Sequence, residues 1–187
     1  MRESKIWMAT SSVDKYTEAK AILSEFGVEL GRIEVEKIEI QADDPVEIVE
    51  YSLRQLEDDG RTVVMEDAGI FIDHYGGFPG PYSSYALKKL DNSGILKLME
   101  GVEDRRAHYQ SAVAIRRGSE IRSFRGYVRG TIAESIRGTG GFGYDPIFIP
   151  DEGDGRTFGE MTEEEKNARS HRARAFRSLG EWLSESP

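Results

Sequence analysis

Hydrophobic and polar positions along this chain follow two different periods, which predicts a mixed α/β protein. Short apolar runs rich in β-branched or aromatic residues predict buried strands. These runs lie at Lys5–Thr10, at about Arg32 to Ile40, at Thr62–Met65, at Ile70–Ile72 and at Ile147–Ile149. Residues 107–116 and 121–134 alternate between apolar and polar side chains, so they predict a long antiparallel ribbon.

Apolar residues at helical spacing predict the helices between these strands. Ala19, Ile22 and Leu23 would share one face of a first helix that stops at Gly27. Asp44-Pro45-Val46-Glu47 has the cap, proline and acid that open a helix well. Further helices are predicted at Ser84–Leu90, at Gly94–Met99, after a capping box at Thr162–Glu165 and around Phe176. Because no repeat or interdomain linker interrupts this pattern, residues 1–187 are predicted to form a single domain.

The amino-acid composition argues against several classes of function. The chain has 187 residues and a net charge of −9, which argues against a general nucleic-acid binder because such proteins carry a basic face. It has no cysteine, so thiol nucleophiles and disulfides are excluded. No apolar stretch reaches the length of a membrane span, and the N-terminus lacks a signal-peptide core. We therefore expect a cytoplasmic protein without a nucleic-acid or membrane partner.

The segment Glu66-Asp67-Ala68-Gly69 carries the strongest chemical signal. It follows an apolar run that predicts a strand, and a small-residue break follows it in turn. Strand exits in open α/β sheets are where ligands bind. Two adjacent carboxylates repel each other unless a cation lies nearby, and hard Mg²⁺ prefers carboxylate oxygens. An acidic strand-to-turn junction without a ligand remains the alternative.

The first strand-to-helix junction, Thr10-Ser11-Ser12-Val13-Asp14-Lys15, has the composition of an anion site. It combines hydroxyl groups, backbone N–H groups at a helix start and a lysine one turn into the helix. It lacks the glycines of a P-loop. An ordinary Ser/Thr cap beside a solvated lysine is the alternative.

The glycine-rich run 138–143 matches GxGxxG, but its context excludes a dinucleotide-binding fingerprint. That fingerprint should open a helix after the first strand, whereas this run precedes Tyr144-Asp145-Pro146. The segment Phe142-Gly143-Tyr144-Asp145 can instead form a base pocket, in which Phe142 stacks on a purine and Asp145 reads polar edges. A glycine turn with core aromatic residues is the alternative.

Several other polar residues complete the candidate set. The first turn of a predicted late helix contains His171 and Arg172, and Lys166 lies one turn earlier. Because cations are unfavourable at a helix N-terminus, these residues indicate an anionic ligand. A solvated basic patch is the alternative. Glu39, at the end of the predicted second strand, can reach the same sheet edge as Asp67. Arg54 lies on an apolar-striped helix, where it can also simply face solvent, and His74 and His108 are treated as structural.

Taken in order, these motifs resemble those of the inosine/xanthosine triphosphate pyrophosphatases, and the likeness spans nearly the whole chain. The matching segments are Ala9–Lys15, Glu66–Gly69, Gly77–Ser83, Gly141–Phe148, Glu165–Asn167 and Ser170–Arg172. The resemblance implies an elongated α/β fold, in which a long mixed β-sheet is flanked by helices and two lobes enclose a central nucleotide cleft. It also implies a homodimer and a Mg²⁺ cofactor.

The resemblance assigns a role to each candidate residue. It implies that Asp67 is the water-activating base and that Glu39 and Asp67 hold the metal. The implied substrate-binding residues are Thr10, Ser11, Ser12, Lys15, Arg54, Ala68, Phe142, Gly143, Tyr144, Asp145, Lys166, His171 and Arg172. Three of them depart from the family pattern, which usually has Asn for Ser12 and Lys for Arg54 and often has Ser for Ala68.

The implied reaction is hydrolysis of noncanonical purine nucleoside triphosphates (ITP, dITP and XTP) to the monophosphate and pyrophosphate. A metal-activated water would attack the α-phosphorus, and charge neutralisation and positioning would supply the catalysis. Donors facing a 6-oxo group would be left unpaired by a 6-amino group, which gives selectivity. Two alternatives stay open: a related pyrophosphatase for modified pyrimidine or 7-methylguanine nucleotides, and a nucleotide-binding sensor without turnover.

Overall fold

The protein is a mixed α/β structure, as the sequence pattern predicts. The structure, a computed structural model, describes residues 5–36 and 38–185. The strands are β1 (Lys5–Ala9), β2 (Glu29–Ile33), β3 (Val63–Ile72), β4 (Pro79–Gly80), β5 (Arg106–Arg117), β6 (Glu120–Ile132) and β7 (Phe148–Pro150). The α-helices are α1 (Val13–Ser24), α2 (Pro45–Gln55), α3 (Ser83–Leu98), α4 (Glu163–Asn167) and α5 (His171–Glu185). Short 3₁₀ turns lie at Asp73–Tyr75, Asp145–Ile147 and Phe158–Glu160.

The strands form one mixed sheet in the order β2-β1-β3-β5-β6-β7, with β4 paired to β3. Strand β1 pairs in parallel with both β2 and β3, and each of these connections contains a helix, as parallel strands require. Strands β5 and β6 are neighbours joined by only two residues, so they pair as the predicted antiparallel ribbon. The mixed sheet flanked by helices is therefore confirmed.

Two predicted strand boundaries are wrong. Strand β2 covers Glu29–Ile33 rather than about Arg32 to Ile40, and the described residues between 34 and 44 lie outside helices and strands; Lys37 lies outside the described residues. Strand β3 continues through the predicted break to Ile72, so Ile70–Ile72 is not a separate strand. A Cβ atom at Gly69 would lie 2.1 Å from the Gly80 carbonyl oxygen, so this glycine permits close pairing with β4 rather than a turn.

The chain divides into two compact units. Unit 1 comprises the described residues within 1–67, 111–126 and 171–187, and unit 2 those within 68–110 and 127–170. Since side chains alternate along a strand, unit 1 has an apolar cluster on each face of its strands. Val64 packs with residues of α1 and α5 on one face, and Met65 packs with residues of α2 on the other.

Unit 2 has its own core, in which Ile70 and Tyr109 pack with Ile95 of α3 and with Phe148 and Phe158. The aromatic rings of Tyr109, Phe148 and Phe158 contact one another at centroid distances of 4.7–6.2 Å. Within the described residues, no helix combines the length and the apolar character needed to cross a membrane. The single-domain assignment stays a prediction.

Candidate functional site

Glu66 and Asp67 lie inside strand β3, and their side chains point to opposite faces of it. Glu66 shares the parity of Val64 and therefore faces α1 and α5, whereas Asp67 shares the parity of Met65 and faces α2. The two adjacent carboxylates are thus separated by the backbone itself. Each carboxylate therefore has its own set of neighbouring residues.

Glu66 is the centre of a buried charge network in unit 1. Its side chain is 0% exposed, and its Oε1 atom accepts hydrogen bonds from Ser111 Oγ at 3.0 Å and from Arg172 Nε at 3.1 Å. Its Oε2 atom lies 2.8 Å from Lys15 Nζ. Burial alone raises the pKa of Glu66, but the charges of Arg172 and Lys15 outweigh this effect and lower that pKa to about 2. Glu66 is therefore an anion at neutral pH.

The local fold explains why these groups meet. Strands β1 and β3 are parallel neighbours with Met8 beside Val64, so the first turn of α1 begins next to Glu66. Lys15 lies in that turn. Arg172 lies in the first turn of α5 and forms a second ion pair, at 2.6 Å, with Glu18 of α1. The two helices are thereby cross-linked through charges on one face of the strands.

The N-terminus of α1 is built as the sequence predicts. Ser12 is the N-cap, and its Oγ atom accepts a hydrogen bond from the Lys15 backbone N–H at 3.2 Å. The backbone N–H of Ser12 in turn donates to Thr10 Oγ1 at 3.1 Å. Thr10 is buried, Ser11 is exposed and the Lys15 side chain is 23% exposed. Phosphate binding by this turn stays a prediction.

The predicted metal ligands are both carried by unit 1, on the side that α2 covers. Asp67 and the following Ala68 are half-buried in β3, and Glu39 is exposed after β2. Ser52 of α2 donates a hydrogen bond to the Ile38 carbonyl oxygen at 2.7 Å, which fastens the residue before Glu39 to this helix. Carboxylate oxygens are the donors that Mg²⁺ prefers, so the residue types fit that ion.

Among residues 5–36 and 38–185, no group of three or more His, Asp or Glu side chains is arranged to hold a metal. Two carboxylates together with waters and phosphate oxygens remain a usual set for Mg²⁺. Arg54, near the end of α2, is exposed and pairs with Glu50 at 2.7 Å. Contact between Arg54 and a phosphate stays a prediction.

Unit 2 contains a second buried ion pair, between Lys166 and Asp145. Lys166 Nζ donates to Asp145 Oδ2 at 2.6 Å, and the two side chains are 4% and 2% exposed. The same Oδ2 atom accepts a hydrogen bond from the Phe142 backbone N–H at 2.8 Å, and Lys166 Nζ lies 4.5 Å from the centre of the Phe142 ring. Asp145 therefore already holds the glycine-rich segment and Lys166 in place.

Three predicted substrate-binding residues remain, namely Gly143, Tyr144 and His171. Tyr144 is buried, and its hydroxyl donates to the Ser83 carbonyl oxygen at 2.7 Å, while Gly143 is half-buried. His171 is buried and begins α5 directly after Ser170. The cations expected near that helix start are present, and Arg172 contacts two anions of its own chain, Glu18 and Glu66.

The sequence pattern placed Glu66 beside Asp67 as one of two carboxylates that Mg²⁺ would neutralise, whereas in the structure Lys15 and Arg172 pair with Glu66. Sequence reasoning missed Glu18 and Ser111. Glu18 follows Lys15 by three residues on one helix, which places both on the same face and is a usable signal. Ser111 gives no such signal, because only the strand order brings it beside Glu66.

Comparison with known proteins identifies the family of this chain. The model of the Ham1 family matches residues 6–182. The dITP/XTP pyrophosphatase of Pyrobaculum aerophilum is 48% identical over 181 residues, which cover 96% of each chain. The dITP/XTP pyrophosphatase of Methanopyrus kandleri is 46% identical over 180 residues, which cover 95% of each chain.

Solved structures show the same fold. A HAM1 protein from Coxiella burnetii superposes with a TM-score of 0.84 at 28% identity, covering 97% of this chain and 99% of that one. The nucleoside-triphosphatase / dITP/XTP pyrophosphatase from Mycobacterium abscessus gives a TM-score of 0.73 at 31% identity, covering 94% and 98%. Because the family model and the relatives both match nearly the whole chain, this chain belongs to the Ham1 family.

Proposed function

We propose that this protein hydrolyses the noncanonical purine nucleoside triphosphates ITP, dITP and XTP to the monophosphate and pyrophosphate. The observation that carries this proposal is the full-length similarity to relatives named dITP/XTP pyrophosphatase, at 48% and 46% identity. The charged residues in the motifs that carry the resemblance include Lys15, Asp67, Lys166 and Arg172.

The start of α1 is the proposed phosphate subsite. Backbone N–H groups at a helix N-terminus favour anions, and Lys15 adds a full positive charge there. The partly exposed Lys15 ammonium lies 2.8 Å from a Glu66 carboxylate oxygen, and this ion pair limits the rotamers of the lysine. Thr10, Ser11 and Ser12 supply further hydroxyl and backbone groups.

Asp67 is the proposed general base, and Glu39 and Asp67 are the proposed Mg²⁺ ligands. The docking of Ile38 on α2 supports this pairing, because Asp67 faces the same helix. Mg²⁺ bound there would neutralise charge on the phosphate oxygens. Asp67 accepts a proton from the water that attacks the α-phosphorus. As the new P–O bond forms, the bond from the α-phosphorus to the α,β-bridging oxygen breaks, and pyrophosphate leaves with that oxygen. Arg54 and Lys15 offset the negative charge that develops.

The segment Phe142–Asp145, with Lys166, is the proposed base subsite, and His171 and Arg172 complete the substrate-binding set. Phe142 is half-buried, and the Lys166 ammonium lies over one face of its ring, so the opposite face is the one on which a purine can stack. A donor facing a 6-oxo group gains a hydrogen bond, whereas a 6-amino group leaves that donor unpaired. We expect hypoxanthine and xanthine to be preferred over adenine for this reason.

A pyrophosphate-release assay across nucleotides tests the proposal. ITP, dITP and XTP should be hydrolysed much faster than ATP in Mg²⁺, and EDTA should abolish the reaction. Equal rates with ITP and ATP would refute the 6-oxo selectivity. Tight binding of ITP without release of pyrophosphate would favour the sensor alternative. A cytoplasmic homodimer remains the prediction for location and assembly, and size-exclusion chromatography with light scattering checks the dimer.

A further inference from the structure

The glycine-rich segment 141–143 depends on side chains outside it for a fixed conformation. Gly141 and Gly143 have φ values of +66° and +69°, in the left-handed region that favours glycine. Phe142 lies between them. Since glycine loses more conformational freedom on ordering than any other residue, a segment with two of them around one ring has little intrinsic rigidity. The position of the Phe142 ring is therefore set by its anchors.

Two side chains hold the backbone on either side of this ring. The Asp145 carboxylate accepts the Phe142 backbone N–H at 2.8 Å. Asn92 of α3 donates from Nδ2 to the Gly143 carbonyl oxygen at 3.0 Å, across 51 positions of sequence. The first anchor is local, three residues from Phe142. The second ties the segment to a separate helix and fixes it relative to the core of unit 2.

Helix α3 is broken at the residue before Asn92. Asp91 has φ 51° and ψ −174°, a backbone conformation that is strained for any residue except glycine. Its Oδ1 atom accepts the Gly94 backbone N–H at 3.0 Å, so Asp91 caps the second half of the helix. The break places Asn92 at the start of that second half, from where its amide reaches Gly143.

Folding stability alone is a poor explanation for asparagine at this position. Its Oδ1 atom is buried and accepts no hydrogen bond from the part of the chain that the structure describes. A buried acceptor without a partner destabilises the folded state, and the positive φ of Asp91 adds further strain. The strain at Asp91 is offset in part by its cap on Gly94, and the gain that the structure shows for the Asn92 side chain is its hydrogen bond to Gly143.

We infer that Asn92 is a positioning residue for substrate selectivity: by holding the Gly143 carbonyl, it fixes the Phe142 ring against which the base stacks. This inference rests on the proposed function and extends it to a residue outside the sequence motifs. It also explains the break in α3, which places the Asn92 amide within hydrogen-bond distance of the glycine-rich segment. Loss of this hydrogen bond should loosen the segment and reduce discrimination between 6-oxo and 6-amino purines.

The test compares the selectivity ratio, kcat/KM for ITP divided by kcat/KM for ATP, in the wild type and in three variants. Asn92→Ala removes the side chain, and Asn92→Asp keeps its shape but removes the donor. Ser93→Ala changes the exposed neighbour on the same helix and is the matched control. The ratio is independent of the fraction of folded enzyme, so a merely structural defect leaves it unchanged.

Both Asn92 variants should lower the selectivity ratio about fivefold, the factor that corresponds to one neutral hydrogen bond. Ser93→Ala should keep the wild-type ratio. Amide hydrogen exchange of residues 141–145 should also become faster in both Asn92 variants, with or without nucleotide.

An unchanged ratio or unchanged exchange in the Asn92 variants would overturn the inference and leave the proposed function intact. A wild type that releases pyrophosphate from neither nucleotide would refute the proposed function and this role with it.

Discussion

Replacement of Glu66 by glutamine tests the charge network of unit 1. Glutamine keeps the shape of the side chain and can still accept hydrogen bonds from Ser111 and Arg172. Its amide group carries no charge. The amide N–H group would also replace the carboxylate oxygen that lies 2.8 Å from Lys15 Nζ, so a donor would face the lysine. The substitution therefore removes the anion while it disturbs the packing little.

Two routes give the same magnitude for the loss of stability. The pKa of Glu66 falls from an ordinary 4.5 to about 2, and 2.5 pKa units correspond to about 3 kcal/mol. Removal of one partner from a buried ion pair typically costs about 3–5 kcal/mol. The lower end applies here, since Arg172 keeps Glu18 and the Lys15 side chain is 23% exposed and can reach water.

The contribution of Glu66 to folding stability decreases as the pH falls. Because the folded-state pKa of Glu66 lies below the unfolded value, its contribution is complete above about pH 4.5 and is lost as the pH falls toward 2. Urea unfolding of the wild type and Glu66→Gln in EDTA should differ by about 3 kcal/mol at pH 7 and by about 1.5 kcal/mol at pH 3.

An exposed ion pair provides the control. Glu29→Gln removes the partner of Lys5, whose side chains are 62% and 41% exposed, and should change stability by less than about 1 kcal/mol. A difference for Glu66→Gln no larger than this control at pH 7, or one that does not shrink toward pH 3, would contradict the assignment of Glu66 as a buried anion.

Three further substitutions have defined outcomes. Gly69→Ala places a Cβ atom 2.1 Å from a carbonyl oxygen of β4 and should lower the unfolding free energy by at least about 2 kcal/mol, whereas Gly153→Ala, whose nearest contact is 3.6 Å, should have little effect in the same urea titration. Burial lowers the pKa of His108, so wild-type stability should decrease as the pH falls below about 6.5; His108→Phe should show less of this decrease in thermal melts between pH 7.5 and 5.5. Lys166→Met removes the ammonium that pairs with Asp145 and should lower the unfolding free energy by about 3 kcal/mol, and addition of Asp145→Asn should recover part of that loss. A double variant less stable than the single one would contradict the pairing.

Local sequence signals predicted the elements whose boundaries are set by nearby residues. The Ser12 cap of α1, the Asp44 cap of α2 and the Thr162 capping box all lie where the sequence places them. Strand β3 was predicted too short because glycine usually interrupts a strand. Gly69 instead allows the backbone of β4 to approach, and that contact is formed with Gly80, eleven positions away.

In the candidate site, too, sequence motifs identified some residues, whereas other contacts depend on residues far apart in the chain. Asp67, Lys15 and the Phe142–Asp145 segment were identified from motifs. The position of Glu66 opposite to Asp67 follows from strand alternation, but only once both residues are known to lie inside one continuous strand. The contacts of Ser111 with Glu66 and of Asn92 with Gly143 join residues 45 and 51 positions apart, which no local pattern specifies.

Steady-state hydrolysis of ITP by Asp67→Asn tests the central claim most directly, because this change removes the proposed base and keeps the shape of the side chain. With Mg²⁺ present and folding verified by urea unfolding, we expect kcat to fall by about 10²–10⁴-fold while the protein still binds ITP. Turnover close to that of the wild type would show that another group activates the water and would contradict the mechanism.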